Sequence, residues 1–195
     1  MYLFRPFEKS ALNQLAREKK QRFLGKENYQ RFGNGFPLLL RRLRVSQCQL
    51  LQIRPSAEAM RRHGAFLGNA ELWYAASGGQ QQEVREGDVF FMPVDCRDGL
   101  HADHRVGYRL LQDEGVQLAT CPFFTTSIYD LDDPMTIDYS ELDSFVLLNG
   151  LQGSAEVADD SGQRLLFLEG DALVVPASAK HIRVEGTIKF LETYI

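Results

Sequence analysis

Three things are scarce in this sequence, and each scarcity removes a class of protein. Cysteine is limited to Cys48, Cys96 and Cys121, an odd number with no close pair. That argues against a disulfide framework and against a zinc ribbon, and leaves reduced thiols in or near the core. Basic charge is not in excess: 22 Lys and Arg face 26 Asp and Glu, for a net charge of −4. A nucleic-acid partner would usually demand the opposite balance. The basic cluster Arg17–Arg22 is diluted by Glu18 and carries no interleaved aromatic platform, so it reads as a solvated helix face. Long apolar runs are missing too. No segment approaches the roughly 20 residues that a membrane helix needs, and Met1 to Lys9 mixes apolar with charged residues, unlike a signal peptide. The expectation is a cytoplasmic protein with no nucleic-acid and no membrane partner.

What is present is enough chain, 195 residues with 44% hydrophobic content, to bury a real core. One convincing helical stretch covers residues 8–31, with Leu12, Leu15, Ala16, Phe23 and Leu24 on one face and an interruption expected at Gly25. From Phe36 onward the texture changes to short β-rich runs. They are Phe36–Leu43, Gln49–Ile53, Leu72–Ala76, Asp88–Met92, Tyr108–Leu111, Phe123–Leu131, Ser144–Leu148, Ser154–Ala158, Arg164–Leu168, Ala172–Val175, His181–Val184 and Lys189–Thr193. Glycine and Asp-rich turns separate them. Strands this short and this evenly spaced indicate a sandwich or barrel, an all-β fold.

One internal repeat stands out. Glu86-Gly87-Asp88 followed by an apolar strand to Pro93 recurs as Glu169-Gly170-Asp171 followed by an apolar strand to Pro176. In each copy the glycine supplies turn freedom and the proline cannot continue the ladder. A duplicated β-unit follows, with the divide near residues 113–117. The domains expected are a helical segment over 1–35, a first truncated β-unit over 36–115 and a second over 116–195.

The repeat resembles the second cupin motif, in which a glycine, five residues, a proline and a histidine five residues on lie along adjoining strands. Gly170, Pro176 and His181 fit it. Gly87 and Pro93 fit it in the first copy, where the histidine position holds Asp98. Four stretches extend the likeness: Tyr29 to Pro37, Gln52-Ile53-Arg54-Pro55 with Glu71-Leu72-Trp73-Tyr74, Gly87 to Pro93, and Cys121 to Thr126 through Tyr139–Phe145 to Leu191–Ile195. Together they resemble the short bacterial form of type I mannose-6-phosphate isomerase, a double-cupin family, over nearly all of residues 29–195.

The resemblance implies a chemistry. The family moves a proton between C1 and C2 of a phosphorylated sugar while a zinc ion polarises the adjacent oxygens. Its ligands are a glutamine and a histidine two apart on one strand, a glutamate, and a second histidine beyond the proline. By that likeness Gln52 and Glu71 stand at metal positions, and Asp98 or a displaced His101 stands at the second histidine. The first histidine is replaced by Arg54. A guanidinium has no lone pair to give and would repel a cation. The lysine two residues before the glutamate is Asn69, and the phosphate-contacting serine is Leu50. Val106-Gly107-Tyr108-Arg109 resembles the start of the strand bearing the catalytic arginine, which would make Arg109 its counterpart and a substrate contact together with Arg54.

Several outcomes stay open at this stage. Gln52, Arg54 and Glu71 could form a salt-bridged polar cluster with Arg54 in the place of the metal. Arg54, Arg109 and Arg97 could instead make an anion or sugar site. A rebuilt metal site from Gln52, Glu71, Asp98 or His101 would make a working isomerase. The expectation is a mannose-6-phosphate isomerase-like bicupin of impaired or absent activity, with no cofactor, or zinc if the family site survives. A sugar phosphate is its expected small-molecule ligand. Trimmed barrel walls that leave strand edges exposed suggest a homodimer. His181 has no ligand partner in Ser144–Leu148 and reads as a structural or surface histidine.

Overall fold

A computed structural model describes residues 1–5, 7–45, 48–56, 70–79, 84–93 and 104–195. In chain order its elements are β1 (Tyr2–Phe4), α1 (Lys9–Lys19), α2 (Gln21–Leu24), α3 (Lys26–Phe32), β2 (Leu38–Val45), β3 (Cys48–Pro55), β4 (Glu71–Ser77), β5 (Val89–Met92), β6 (Gly115–Cys121), β7 (Phe124–Leu131), β8 (Met135–Asp138), β9 (Val146–Asp159), β10 (Arg164–Leu168), β11 (Ala172–Val175), β12 (His181–Glu185) and β13 (Ile188–Tyr194). All strand pairs within the sheets are antiparallel. No helix among the described residues is long and apolar enough to cross a membrane.

The helical stretch breaks into three pieces for local reasons. Lys20 takes a positive φ of 50° and its N–H bonds Ala16 O, closing α1. Gly25, at φ 94°, ends α2. A Cβ there would stand 2.1 Å from Asp143 O, so only glycine lets the two segments approach. The Asp143 carboxylate then accepts from the N–H groups of Lys26 and Glu27, each at 2.9 Å, and caps the free end of α3 from a distant part of the chain. The sequence pattern anticipates the break at Gly25 and misses the one at Lys20. It also misses β1, which precedes the helices and pairs with β11.

The strands stack as layers. The first sheet, in the order β2-β3-β4-β5, is four-stranded; the second runs β1-β11-β9-β13-β7-β6. The long strand β9 leaves that sheet at its far end, where its residues pair with β10 and β12, and β12 continues to β8. The second sheet is therefore covered on both faces. Leu147, Leu151, Ala172 and Val174 meet Leu40, Leu51, Ile53 and Leu72 of the first sheet, joined by Phe36 and Phe23 from the helical segment. Leu148, Leu173, Val175 and Phe190 meet Val157, Phe167, Ile182 and Val184 of the β10–β12 layer. Burial on both faces explains why β11 is apolar at every position. A central ring contact, Phe36 to Phe145 at 4.5 Å between centroids, ties the helical segment to the sheets.

The two copies of the Glu-Gly-Asp turn fold alike. Gly87 and Gly170 both sit at φ 85°. Asp88 N bonds Arg85 O at 3.0 Å, and Asp171 N bonds Leu168 O at 3.1 Å. Each aspartate returns a side-chain bond to that same residue, to Arg85 N at 2.7 Å and to Leu168 N at 2.9 Å. Each glycine N–H reaches a neighbouring strand at 2.9 Å, Ala75 O in one copy and Gly150 O in the other. The repeat is one turn built twice.

Three expected strands need correction. Tyr108–Leu111 is not a strand: only isolated bridges flank it, at Arg105 and Gln112. Ser144–Leu148 and Ser154–Ala158 are parts of one strand, β9, because Gly150 and Gly153 let it bend past close backbone neighbours without a turn.

Candidate functional site

Side chains alternate along β3. Leu51 and Ile53 enter the core between the sheets, so Gln52 and Arg54 face the other way. Ile53 is in register with Leu72 of β4, and Gln52 with Trp73. This sets Arg54 across from Glu71 on the outer face of the first sheet. Glu71 gathers three partners there. Its Oε2 accepts from Gln52 Nε2 at 2.9 Å and from Trp73 Nε1 at 3.0 Å. Its Oε1 lies 3.7 Å from Arg54 Nη1, an ion-pair distance too long for a hydrogen bond.

The cluster is half inside. Gln52 is buried, while the Arg54 and Glu71 side chains are 25% and 16% exposed. Among the described residues, Arg54 Nε is buried with no hydrogen-bond partner. Behind the cluster, Cys48, Leu50 and Ala75 form a small apolar patch with Trp73 packed against it. Burial raises the Cys48 thiol above its ordinary value, with Asp88 adding to the effect.

Sequence reasoning missed a neighbour. Phe90 of β5 is in register with Trp73, and the Arg105 guanidinium lies over the Phe90 ring at 5.3 Å. Arg105 also pairs with Asp88 of the repeat turn at 3.2 Å. Arg109 is exposed, and no hydrogen bond or ion pair joins it to Gln52, Arg54 or Glu71. No spacing signal distinguishes the two arginines; the bridge between Phe90 and Arg105 does. Asn69, Arg97, Asp98 and His101 lie outside the described residues.

Do these residues suit the family's zinc? The described part of the site offers one carboxylate and one amide oxygen. The third position carries a fixed positive charge 3.7 Å from that carboxylate. Such a donor set does not fit a divalent cation. Among the described residues no group of three His, Cys, Asp or Glu side chains could hold a metal.

In the second unit His181 points outward from β12. Its Nε2 lies 3.3 Å from Asp138 Oδ1 and its Nδ1 3.2 Å from Asp160 Oδ1. Ile182 and Val184, between the exposed positions, fill the interior. The second unit also holds a buried acid, Glu192, which the sequence did not single out. Glu192 accepts from Tyr139 Oη at 2.6 Å and lies 3.5 Å from Tyr129 Oη.

Residues 115–195 match the family model of the mannose-6-phosphate isomerase cupin domain, from the first residue of β6 onward. A solved structure of a candidate mannosephosphate isomerase from Archaeoglobus fulgidus is similar over 93% of this chain and 78% of its own, at TM-score 0.61 and 14% identity. The mannose 6-phosphate isomerase of Bacillus subtilis is similar over 87% of this chain and 80% of its own, at TM-score 0.56 and 13% identity. At such identities the likeness fixes the fold, an all-β cupin fold, and leaves activity to the site. No curated protein matches the chain by sequence.

Proposed function

We propose that this chain is a non-isomerising relative of mannose-6-phosphate isomerase, a double cupin that binds a phosphorylated sugar without turning it over. One observation carries the reading: the Arg54 guanidinium beside Glu71, at 3.7 Å, where the resemblance calls for a metal-binding histidine. The positive charge that the family would import as an ion is here covalent. A covalent cation cannot exchange ligands or polarise two adjacent oxygens as a Lewis acid does. It can still pair with an anion, since a guanidinium presents a planar fork of donors suited to phosphate. Arg54 is partly exposed, and its Nη1 stands too far from Glu71 for a hydrogen bond, so the end of the guanidinium keeps donor capacity.

The test is a coupled isomerase assay on mannose 6-phosphate, with zinc supplied, run beside equilibrium binding of the same sugar. The reading expects no turnover above background, and binding that weakens about tenfold in Arg54→Gln, the scale of losing one charge-assisted contact. Zinc-dependent turnover would overturn it in favour of a working isomerase with a rebuilt metal site.

A further inference from the structure

The second β-unit contains a cavity of about 410 Å³, with none of the Arg54 cluster in its wall. The wall brings together Tyr129 of β7, Tyr139 and Glu141 just past β8, and Glu192 and Tyr194 of β13.

Strand pairing assembles it. Glu192 lies between Ser127 of β7 and Leu148 of β9, and alternation puts Phe190 and Tyr194 on its own face of β13. Tyr129 is in register with Phe190 and stacks on it, 5.0 Å between centroids. Gly115 of β6 makes room for the tyrosine: a Cβ there would stand 2.6 Å from Tyr129 Cζ and 2.7 Å from its Oη. The Tyr129 hydroxyl is thereby brought within 3.5 Å of Glu192 Oε2.

Glu192 stands where its neighbours Phe190 and Leu148 call for another apolar side chain. It is 4% exposed, and no cation among the described residues pairs with it. Tyrosine hydroxyls alone face its charge. A buried carboxylate without a counter-charge is rare and costly, and this one lines a cavity.

A ligand need not touch the carboxylate to feel it. Tyr129 is half-buried and lines the same cavity. Its hydroxyl donates to Glu192, so its oxygen has only lone pairs left to offer. The negative charge behind it makes that oxygen a better acceptor. Asp138 and Glu141 add carboxylates at the exposed rim, and no described Lys, Arg or His is in the wall. Lys180 Nζ on Leu142 O at 3.4 Å, and His181 Nε2 at 3.3 Å from Asp138 Oδ1, both stand outside the lining.

We propose that this cavity binds an organic ammonium ion, its N–H groups donating to Tyr129 Oη and the rim carboxylates, with Glu192 balancing its charge. A primary ammonium carries three donors and no acceptor, which suits a wall of acceptors. Aromatic rings attract a nearby cation as well. The site is independent of the reading of Arg54, which concerns an anion on the first sheet.

NMR titration of the full chain at fixed ionic strength tests it, with n-butylammonium as probe and 1-butanol and butyrate as controls of the same shape. The ammonium should bind saturably and shift the Tyr129 and Tyr194 ring signals, and the controls should not. Glu192→Gln keeps an acceptor for both tyrosines and removes the charge; Tyr129→Phe keeps the ring and removes the acceptor. Each should weaken binding about tenfold. Absence of saturable ammonium binding would overturn the proposal. So would equal binding of 1-butanol, or an affinity unchanged in either variant, which would leave only a general attraction to surface acid. The variants alter different strands, so one that fails to fold leaves the other to decide.

Discussion

Arg54 and Glu71 face each other across β3 and β4, with Nη1 and Oε1 3.7 Å apart, on the outer face of the first sheet. Glu71 also receives the Gln52 amide and the Trp73 indole. One carboxylate thus accepts two hydrogen bonds and pairs with a charge. Its removal should cost more than an exposed ion pair does, because two donors lose their acceptor in a partly buried place.

Glu71→Ala is therefore expected to lower stability by about 1–3 kcal/mol, read by urea unfolding. Arg54→Met combined with Glu71→Gln should cost less than the two single changes summed, since it removes the charge together with its partner. Strict additivity would show that the pair does not interact.

Parts of this arrangement were legible in the sequence. The strands at Arg164–Leu168 and Ala172–Val175 lie where their apolar runs put them, and the twin Glu-Gly-Asp turns share their hydrogen bonds. Gln52 and Arg54 on one face follow from strand alternation alone. What escaped depends on long-range packing. The strands β1 and β8 are three and four residues long, too short to show a period. β6 begins at a glycine and mixes polar with apolar residues. Arg105 over Phe90 owes its place to a neighbour distant in the chain.

Glu192 offers a pH-dependent signature. Burial raises its pKa above the ordinary value even though Tyr139 and Tyr129 hydrogen-bond to it and pull the other way. A carboxyl whose folded pKa is raised favours the fold when protonated, and that contribution is lost as pH rises through the folded value. Glu192→Gln should therefore raise Tm at pH 7, on the order of 2 °C for a chain this size. The gap should close as the pH falls below the usual glutamate range. A variant less stable than the parent at pH 7 would show that the tyrosine bonds outweigh burial.

The duplicated turns permit a paired comparison. Gly87→Ala and Gly170→Ala each place a side chain at φ 85°, costing roughly 1–2 kcal/mol in the left-handed region. The nearest atom to a new Cβ is Tyr108 Oη at 3.6 Å in the first turn and Arg42 Nη1 at 3.1 Å in the second. Since a guanidinium end moves cheaply, thermal unfolding should find the two costs alike. A much larger loss at Gly170 would mean that Arg42 is held in place.

The central claim is that Arg54 occupies the position of a metal ligand and excludes the ion. Elemental analysis after zinc loading and removal of excess, on the parent and on Arg54→His, tests it most directly. The account predicts no retained zinc in the parent and stoichiometric zinc in the variant, where a nitrogen lone pair joins Gln52 and Glu71. Stoichiometric zinc in the parent would contradict it.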